Sequence, residues 1–277
     1  MLYRKANTCI VELVQSPNQT SPGQTVGAVW DKRISTMGSG SDFTAFQDFA
    51  GIPSLDMGFG FDSKSAVYHY HSNYDSFDWM EKYGDPGFEY HATISTLWAL
   101  VAARLVETPV VQLNATEYAV GLRRYVNSVK DKAKKAPKTI NKNKLEDALK
   151  TLDAALSHFD FAATLQDGVA AQLLYDVYHN DIPWWKWWEK VKLYYAVRRV
   201  NTKYKLLERQ FLYPEGLDGR PWFKHVVFAP GKWTGYSGAT FPGIVEAIEE
   251  GNEEAALKWI GIARGVVEVA ADSLEEE

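Results

Sequence analysis

The chain has little of several things. It holds one cysteine, Cys9, in 277 residues, which excludes an intrachain disulfide framework and any multi-cysteine zinc module and leaves that thiol to be read as core. No apolar run reaches the length of a membrane span. The best stretch, Leu97 to Val106, is short and carries Arg104. Excess positive charge is also absent: the net charge is -5 with a pI near 5.8, which argues against nucleic acid as the main partner. The N-terminus lacks the long apolar run and small-residue cleavage site of a secretory signal. What is present is ordinary globular composition, 46% hydrophobic and 23% charged, in a length that suits two modest domains.

The chain begins oddly. Ile10, Leu13 and Val14 form a short helical stripe with no cap before it, as at a start in mid-domain. Residues 16–41 are rich in turn formers and read as loop. The segment 42–50 then places Phe43, Phe46, Phe49 and Ala50 on one helical face, with Ser41 as N-cap and Gly51 at C′. Ile52 to Phe59 predicts a strand, giving an αβ unit. After an aromatic loop, Pro86 opens a helix with Phe88, Ile94, Trp98, Val101 and Leu105 at helical spacing, ending before Pro109.

Beyond residue 110 the pattern is helical, with no strong strand. Asn114-Ala-Thr-Glu117 resembles a capping box opening a helix through Tyr118, Leu122, Tyr125 and Val129. Lys130 to Lys144 is basic, contains Pro137 and reads as a solvated connection. Leu145 to Tyr178 carries another helical period with a break near Gly168, Pro183 opens a helix through Leu212, and Pro242 opens another that breaks at Gly251. The boundary falls at 107–113. The fold class is therefore mostly α: residues 1–108 as helices with one or two short strands, and 109–277 as a bundle of four or five long helices.

Basic residues crowd 186–209 and acidic ones the tail from Glu246, read as complementary faces of packed helices and solvated surfaces ahead of an anion-binding patch. Trp184, Trp185, Trp187 and Trp188 cannot all point inward from one helix, so some should face a second domain, a subunit or a ligand, and an interface is the better reading because Trp anchors interface centres. His69 and His71 are the one local histidine cluster. In an extended segment they would point to opposite faces, so at most one is a metal ligand. Gly38 to Asp42 offers backbone N–H groups to an anion or serves as a turn with an N-cap. No metalloprotease, P-loop, nucleophile-elbow or dinucleotide motif accompanies these, and composition and spacing identify no reaction.

The ordered motifs add a resemblance. Gly38-Ser-Gly-Ser-Asp-Phe43, Gly51-Ile-Pro-Ser54, Tyr70-His-Ser-Asn-Tyr-Asp75, Asp85-Pro86, Tyr118-Ala-Val-Gly-Leu-Arg-Arg-Tyr125, Leu207-Glu-Arg-Gln-Phe211, Arg220-Pro-Trp-Phe-Lys-His-Val-Val-Phe-Ala-Pro230 and Phe241-Pro-Gly-Ile244 follow one another over nearly the whole chain. In that order they resemble the C-terminal part of the glutamate carboxypeptidase II and transferrin receptor group. The resemblance implies the tail of a zinc aminopeptidase-like α/β domain over 1–108 and a transferrin receptor-like dimerisation domain over 109–277. Complete peptidases of the group hold two zinc ions through two His and three acidic side chains, with a further Glu as general base. Here the resemblance supplies one of these, His71, so the expectation is no cofactor and no catalytic residue in this chain alone, the remaining ligands belonging upstream.

By the same resemblance Tyr70 and Tyr236 contact substrate, and Ser39, Gly40 and Ser41 form a substrate-lining loop. The specificity positions depart from the glutamate-selective pattern: Asp56 and Gly58 replace paired arginines, and Gly235 replaces a lysine, which would weaken any preference for acidic side chains. The chain is expected to be a homodimerising, non-catalytic module. The alternatives are part of an active two-zinc exopeptidase when an upstream half is present, with peptide as substrate, or a receptor-like binding module using the tryptophan surface. Half an α/β domain would leave residues 1–70 less regular and prone to self-association. The group is membrane-anchored or secretory and vacuolar, and Asn18-Gln-Thr and Asn114-Ala-Thr fit glycosylation sequons.

Overall fold

The computed structural model describes residues 10–17, 22–32, 34–61, 63, 65–233 and 235–276. Cys9 and the Asn18 sequon lie outside them. In chain order the α-helices are α1 (Val26–Val29), α2 (Phe77–Trp79), α3 (Glu89–Glu107), α4 (Ala115–Lys134), α5 (Lys142–His179), α6 (Trp187–Leu207), α7 (Pro242–Glu249) and α8 (Glu253–Glu275). Two short strands, β1 (Phe228–Pro230) and β2 (Gly238–Thr240), pair antiparallel with Ala229 opposite Ala239. The described chain is mostly α, as the sequence implies. It divides into two compact units, one from Ser35–Leu55 with Pro109–Glu277, the other from the described parts of Arg4–Ile34 with Asp56–Thr108.

The larger unit is a helical bundle whose axis is α5. Leu145, Leu149, Leu152, Leu156, Phe159 and Ala163 recur on its buried face, and the facing stripe of α8 is small, with Ala256, Ala263, Ala270 and Ala271 around Trp259 and Ile260. Small against large lets the helices approach closely and fill the space between them. α5 is one unbroken helix of 38 residues. The break expected near Gly168 does not occur, because that glycine faces open space and helical neighbours hold its backbone. The basic connection is likewise shorter than the expected 130–144: α4 continues to Lys134 and α5 starts at Lys142. Pro183 precedes a 3-10 turn, Trp184–Lys186, and α6 ends at Leu207 before a second 3-10 turn, so the helix is shorter than the span to Leu212.

Caps behave as their chemistry dictates. Asn114 Oδ1 accepts from Glu117 N at 2.8 Å, opening α4 as expected. Pro242 stands at the start of α7, and Gly251, at φ +72°, separates it from α8, where Asn252 Oδ1 accepts from Ala255 N. The cap that decides tertiary structure comes from mid-helix. The Asp167 carboxylate on α5 accepts from Ala115 N (3.1 Å), Thr116 N (2.8 Å) and the Thr116 hydroxyl (2.7 Å) at the start of α4, and from the Tyr204 hydroxyl (2.5 Å) on α6. Asn201 completes the joint, its Oδ1 accepting from Val111 N and its Nδ2 donating to the Pro109 carbonyl, both at 2.8 Å.

The segment 35–55 is fastened to this bundle by a buried polar cluster. The Asp48 carbonyl accepts from Lys224 N (2.9 Å) and His225 N (3.0 Å). His225 is fully buried; its Nδ1 accepts from Val227 N and Phe228 N, so Nε2 carries the proton and donates to Glu208 Oε1 at 3.1 Å. Tyr118 also donates to Glu208. The Asp48 carboxylate, fully buried, takes a bond from Gln47 on one oxygen and has no partner on the other among the described residues. Burial pushes its pKa up to about 6, against the pull of the Gln47 bond and of His225.

Two expectations fail in this segment. Residues 42–50 fold as a short turn of helix with a π-helical stretch, Ala45–Phe49, and Phe46 and Phe49 stay exposed. The predicted strand over 52–59 does not form; 51–61 is irregular, so there is no αβ unit. A strand needs a partner, and the two strands that do pair lie at 228–230 and 238–240, where none was expected.

In the smaller unit, Asp85 is buried and receives Tyr90 N (3.2 Å), His91 N (2.9 Å) and His91 Nδ1 (2.6 Å) at the start of α3. Burial raises its pKa, but the His91 and Tyr90 bonds outweigh this and hold the carboxyl below its ordinary value. α3 buries Leu97 and exposes Trp98 and Leu105. The expected N-terminal stripe is one 3-10 turn, Ile10–Glu12, with Leu13 exposed.

Asp167→Ala should lower the unfolding free energy by about 3 kcal/mol, since it strands two backbone donors and the Tyr204 hydroxyl; urea denaturation measures it. Asp48 supplies a pH test. Its raised pKa means the folded state holds a proton that the unfolded state gives up between about pH 4 and 6, so stability falls as pH rises through that window. Asp48→Asn should flatten this fall in urea midpoints measured across it, and an unchanged slope would contradict the assignment.

Candidate functional site

Five of the residues singled out for substrate contact or specificity meet in the larger unit. The loop at 38–41 lies against 235–238, the turn leading into β2. Ser39 N donates to the Tyr236 carbonyl (3.4 Å) and Ser39 Oγ to the Gly235 carbonyl (3.1 Å). Both loop glycines are required by this approach. A Cβ on Gly38 would stand 2.1 Å from the Tyr236 carbonyl oxygen, and one on Gly40, at φ +92°, 2.2 Å from the Tyr236 ring. Ser41 acts through its carbonyl, which accepts from Thr44 N and Thr44 Oγ1 to start the following turn. Gly235, at φ +63°, faces open space, and Tyr236 keeps 60% of its surface exposed. The result is a shallow wall of backbone N–H and C=O groups beside an exposed phenol, a surface suited to an extended peptide rather than to acid–base chemistry.

The smaller unit holds the others. Residues 70–74 form a turn rather than the extended segment that would send His69 and His71 to opposite faces. Ser72 N and Ser72 Oγ both donate to the His69 carbonyl, and Tyr68 donates to Asp75 at 2.7 Å. His71 sits in the left-handed region at φ +60°, its ring stacked on Tyr70 with centroids 3.8 Å apart, and both are exposed. His69 packs against Tyr74 and Trp79. Asp56 and Gly58 lie exposed in the irregular segment 51–61.

A zinc pair requires converging His and carboxylate ligands. Among the described residues no three His, Cys, Asp or Glu side chains are grouped so as to hold a metal ion, and His71 has stacking as its contact. The described residues therefore do not fit a zinc pair by themselves, and no chemical step can be routed through one here.

All four tryptophans at the start of α6 are exposed, as edge-to-face pairs Trp184–Trp185 and Trp187–Trp188. The basic run and the acidic tail meet in part, as expected: Lys203 donates to the Leu274 carbonyl at 2.8 Å, and Arg199 and Lys203 line one groove with Glu275 and Glu276, while the other cations of the run stay at the surface. Among the described residues, tail carboxylates pair elsewhere, Glu246 with Arg220, Glu249 with Lys132, Glu250 with Lys232 and Glu253 with Lys144, and none pairs with a cation of 186–209.

Sequence reasoning missed Asp167, Glu208 and His225. Glu208 and His225 stood within quoted motifs, and their pairing explains those motifs. Leu207–Phe211 and Arg220–Pro230 are bound to each other by the Glu208–His225 bond, and Arg220 ties its own segment by donating to the Pro230 carbonyl (2.7 Å) and Glu246 (2.5 Å). In Phe241–Ile244, Phe241 is buried at φ +47° and Gly243 lies under the Trp259 ring. The recurring motifs are thus largely the internal joints of the bundle.

Residues 124–275 match the transferrin receptor-like dimerisation domain. Among similar proteins, a probable glutamate carboxypeptidase of Arthroderma benhamiae is 34% identical over 87% of this chain and 30% of its own length. The probable glutamate carboxypeptidase LAMP1 of Arabidopsis thaliana is 30% identical over 76% of this chain and 27% of its own, and vacuolar protein sorting-associated protein 70 of Saccharomyces cerevisiae 27% identical over 83% and 28%. The chain thus spans about 30% of the length of the first of these relatives. No described helix is long and apolar enough to cross a membrane. With its motifs resolved as the joints of a helical bundle and its sequence matched from both sides, the chain belongs to the glutamate carboxypeptidase family and contains that family's transferrin receptor-like dimerisation domain.

Proposed function

We propose that this chain is a homodimerising helical module of a glutamate carboxypeptidase-like protein, without peptidase activity by itself. The match of 124–275 to a dimerisation domain carries the reading. The donor set supports its second half: His71 is the one position that resembles a zinc ligand, and no metal-binding group accompanies it among the described residues. A second reading, contribution to a two-zinc exopeptidase acting on peptides, is favoured by one observation. Ser39, Gly40 and Tyr236 form a built wall whose glycines serve close approach. In such an enzyme Asp56, Gly58 and Gly235 would favour neutral or basic residues over acidic ones.

Equilibrium sedimentation should give twice the 31.3 kDa chain mass at micromolar concentration, and a clean monomer would sink the dimer reading. Zinc content after dialysis should be far below one ion per chain; stoichiometric, tightly held zinc would overturn the non-catalytic reading. For the wall, Gly40→Ala should displace the Tyr236 ring and destabilise the chain by about 1 kcal/mol or more. Faster hydrogen exchange confined to the loop at 38–41 and the 235–238 turn is the expected readout.

A further inference from the structure

The start of α6 is exposed. The buried side chains of this helix are Val200, Tyr204 and Leu207, so its C-terminal half holds it in place. Before them, Trp184 is 80% exposed, Trp187 63% and Tyr194 61%, with Trp185, Trp188 and Tyr195 exposed beside them. At about 3.6 residues per turn, Trp187, Trp188, Val191, Tyr194, Tyr195 and Arg198 share one stripe. Lys190 borders it on one side, Lys192 and Arg199 on the other.

Along α6 itself the charge of this stripe is mostly positive. Glu189 is the lone acidic residue of α6, and it pairs with Lys186 at 3.3 Å. Lys190, Lys192, Arg198 and Arg199 make no ion pair among the described residues, in a chain whose net charge is -5. Carboxylates of other elements face its two ends, Asp176 and Asp181 beside Lys186 and Glu189, and Glu275 and Glu276 beside Arg199 and Lys203, so the cations that flank the exposed aromatic strip itself are Lys190, Lys192 and Arg198. Indole and phenol rings, apolar in body and polar at the tip, belong at the boundary between headgroups and acyl chains, and flanking cations add attraction to anionic headgroups. Pairing with a second copy fits worse, because a two-fold axis along α6 would set these uncompensated cations against their own images.

We propose that this stripe docks on an anionic lipid surface, with α6 lying in the headgroup plane, its indoles at the acyl boundary and Lys190, Lys192 and Arg198 among the phosphates. The site is independent of the dimer reading.

Flotation of the whole chain with phosphatidylcholine vesicles, with and without phosphatidylserine, tests it. The chain should float with the anionic vesicles, and high salt should release much of it. The pairs Trp187→Ala with Trp188→Ala, and Lys190→Glu with Lys192→Glu, should each weaken partitioning by about tenfold or more. Both pairs lie on the surface, so circular dichroism and sedimentation mass should match the parent chain. Failure to float with anionic vesicles at low salt, or flotation unchanged in both variants, would overturn the proposal. So would a tryptophan variant that turns a dimer into a monomer, which would assign the stripe to a second copy.

Discussion

The bundle depends on one carboxylate. Asp167 sits in the C-terminal half of α5 and gathers the first two N–H groups of α4 and the hydroxyls of Thr116 and Tyr204. Its negative charge lies at the N-terminal end of α4, where the helix dipole favours it. Because every acceptor position is used, the group is both partly buried and satisfied, and it fixes where α4 begins and how α6 crosses. The apolar stripes of α5 and α8 supply the bulk of the burial, but stripes alone would tolerate sliding by a turn. A carboxylate with four donors does not.

A second polar junction extends the same logic to a segment far away in sequence. Through the Asp48 carbonyl, residues 35–55 hang on the backbone of Lys224 and His225, while His225 is oriented by Glu208 from the end of α6. The joint contains a cost, an Asp48 oxygen without a partner among the described residues, tolerated because the carbonyl hooks and the surrounding packing hold it. Its effect is to bring the glycine loop against Tyr236. The wall of the candidate site is therefore a consequence of a buried histidine–glutamate pair that touches no substrate position.

The family relation and the physical reading address different layers. Similarity over most of the chain identifies a dimerisation domain and a glutamate carboxypeptidase family, while the contacts show that many of the motifs quoted from the sequence serve the interior of the bundle. His71 and Tyr70, by contrast, stack on each other in an exposed turn with no internal task in view. Residues of that kind, left free of packing duties, are where function in a longer assembly would be drawn from.

By itself the sequence determined the helices and many of their ends. Asn114, Pro242 and Gly251 act within a turn of where they stand, and the leucine stripe of α5 needs no outside reference, so local rules suffice. The family was legible too, because ordered motifs survive as text. Tertiary structure decided the rest. Ile52 to Phe59 has strand-like composition but finds no partner, whereas 228–230 and 238–240 become strands because they pair with each other antiparallel. Gly168 does not break α5, since packing of the turns on either side overrides its propensity. Asp167 bonds to residues 37 to 52 positions away and the Asp48 carbonyl to Lys224 and His225, and pairing at that range leaves no periodic trace along the chain. Local structure is written in neighbours, but a joint is defined only when the chain has already returned to meet itself.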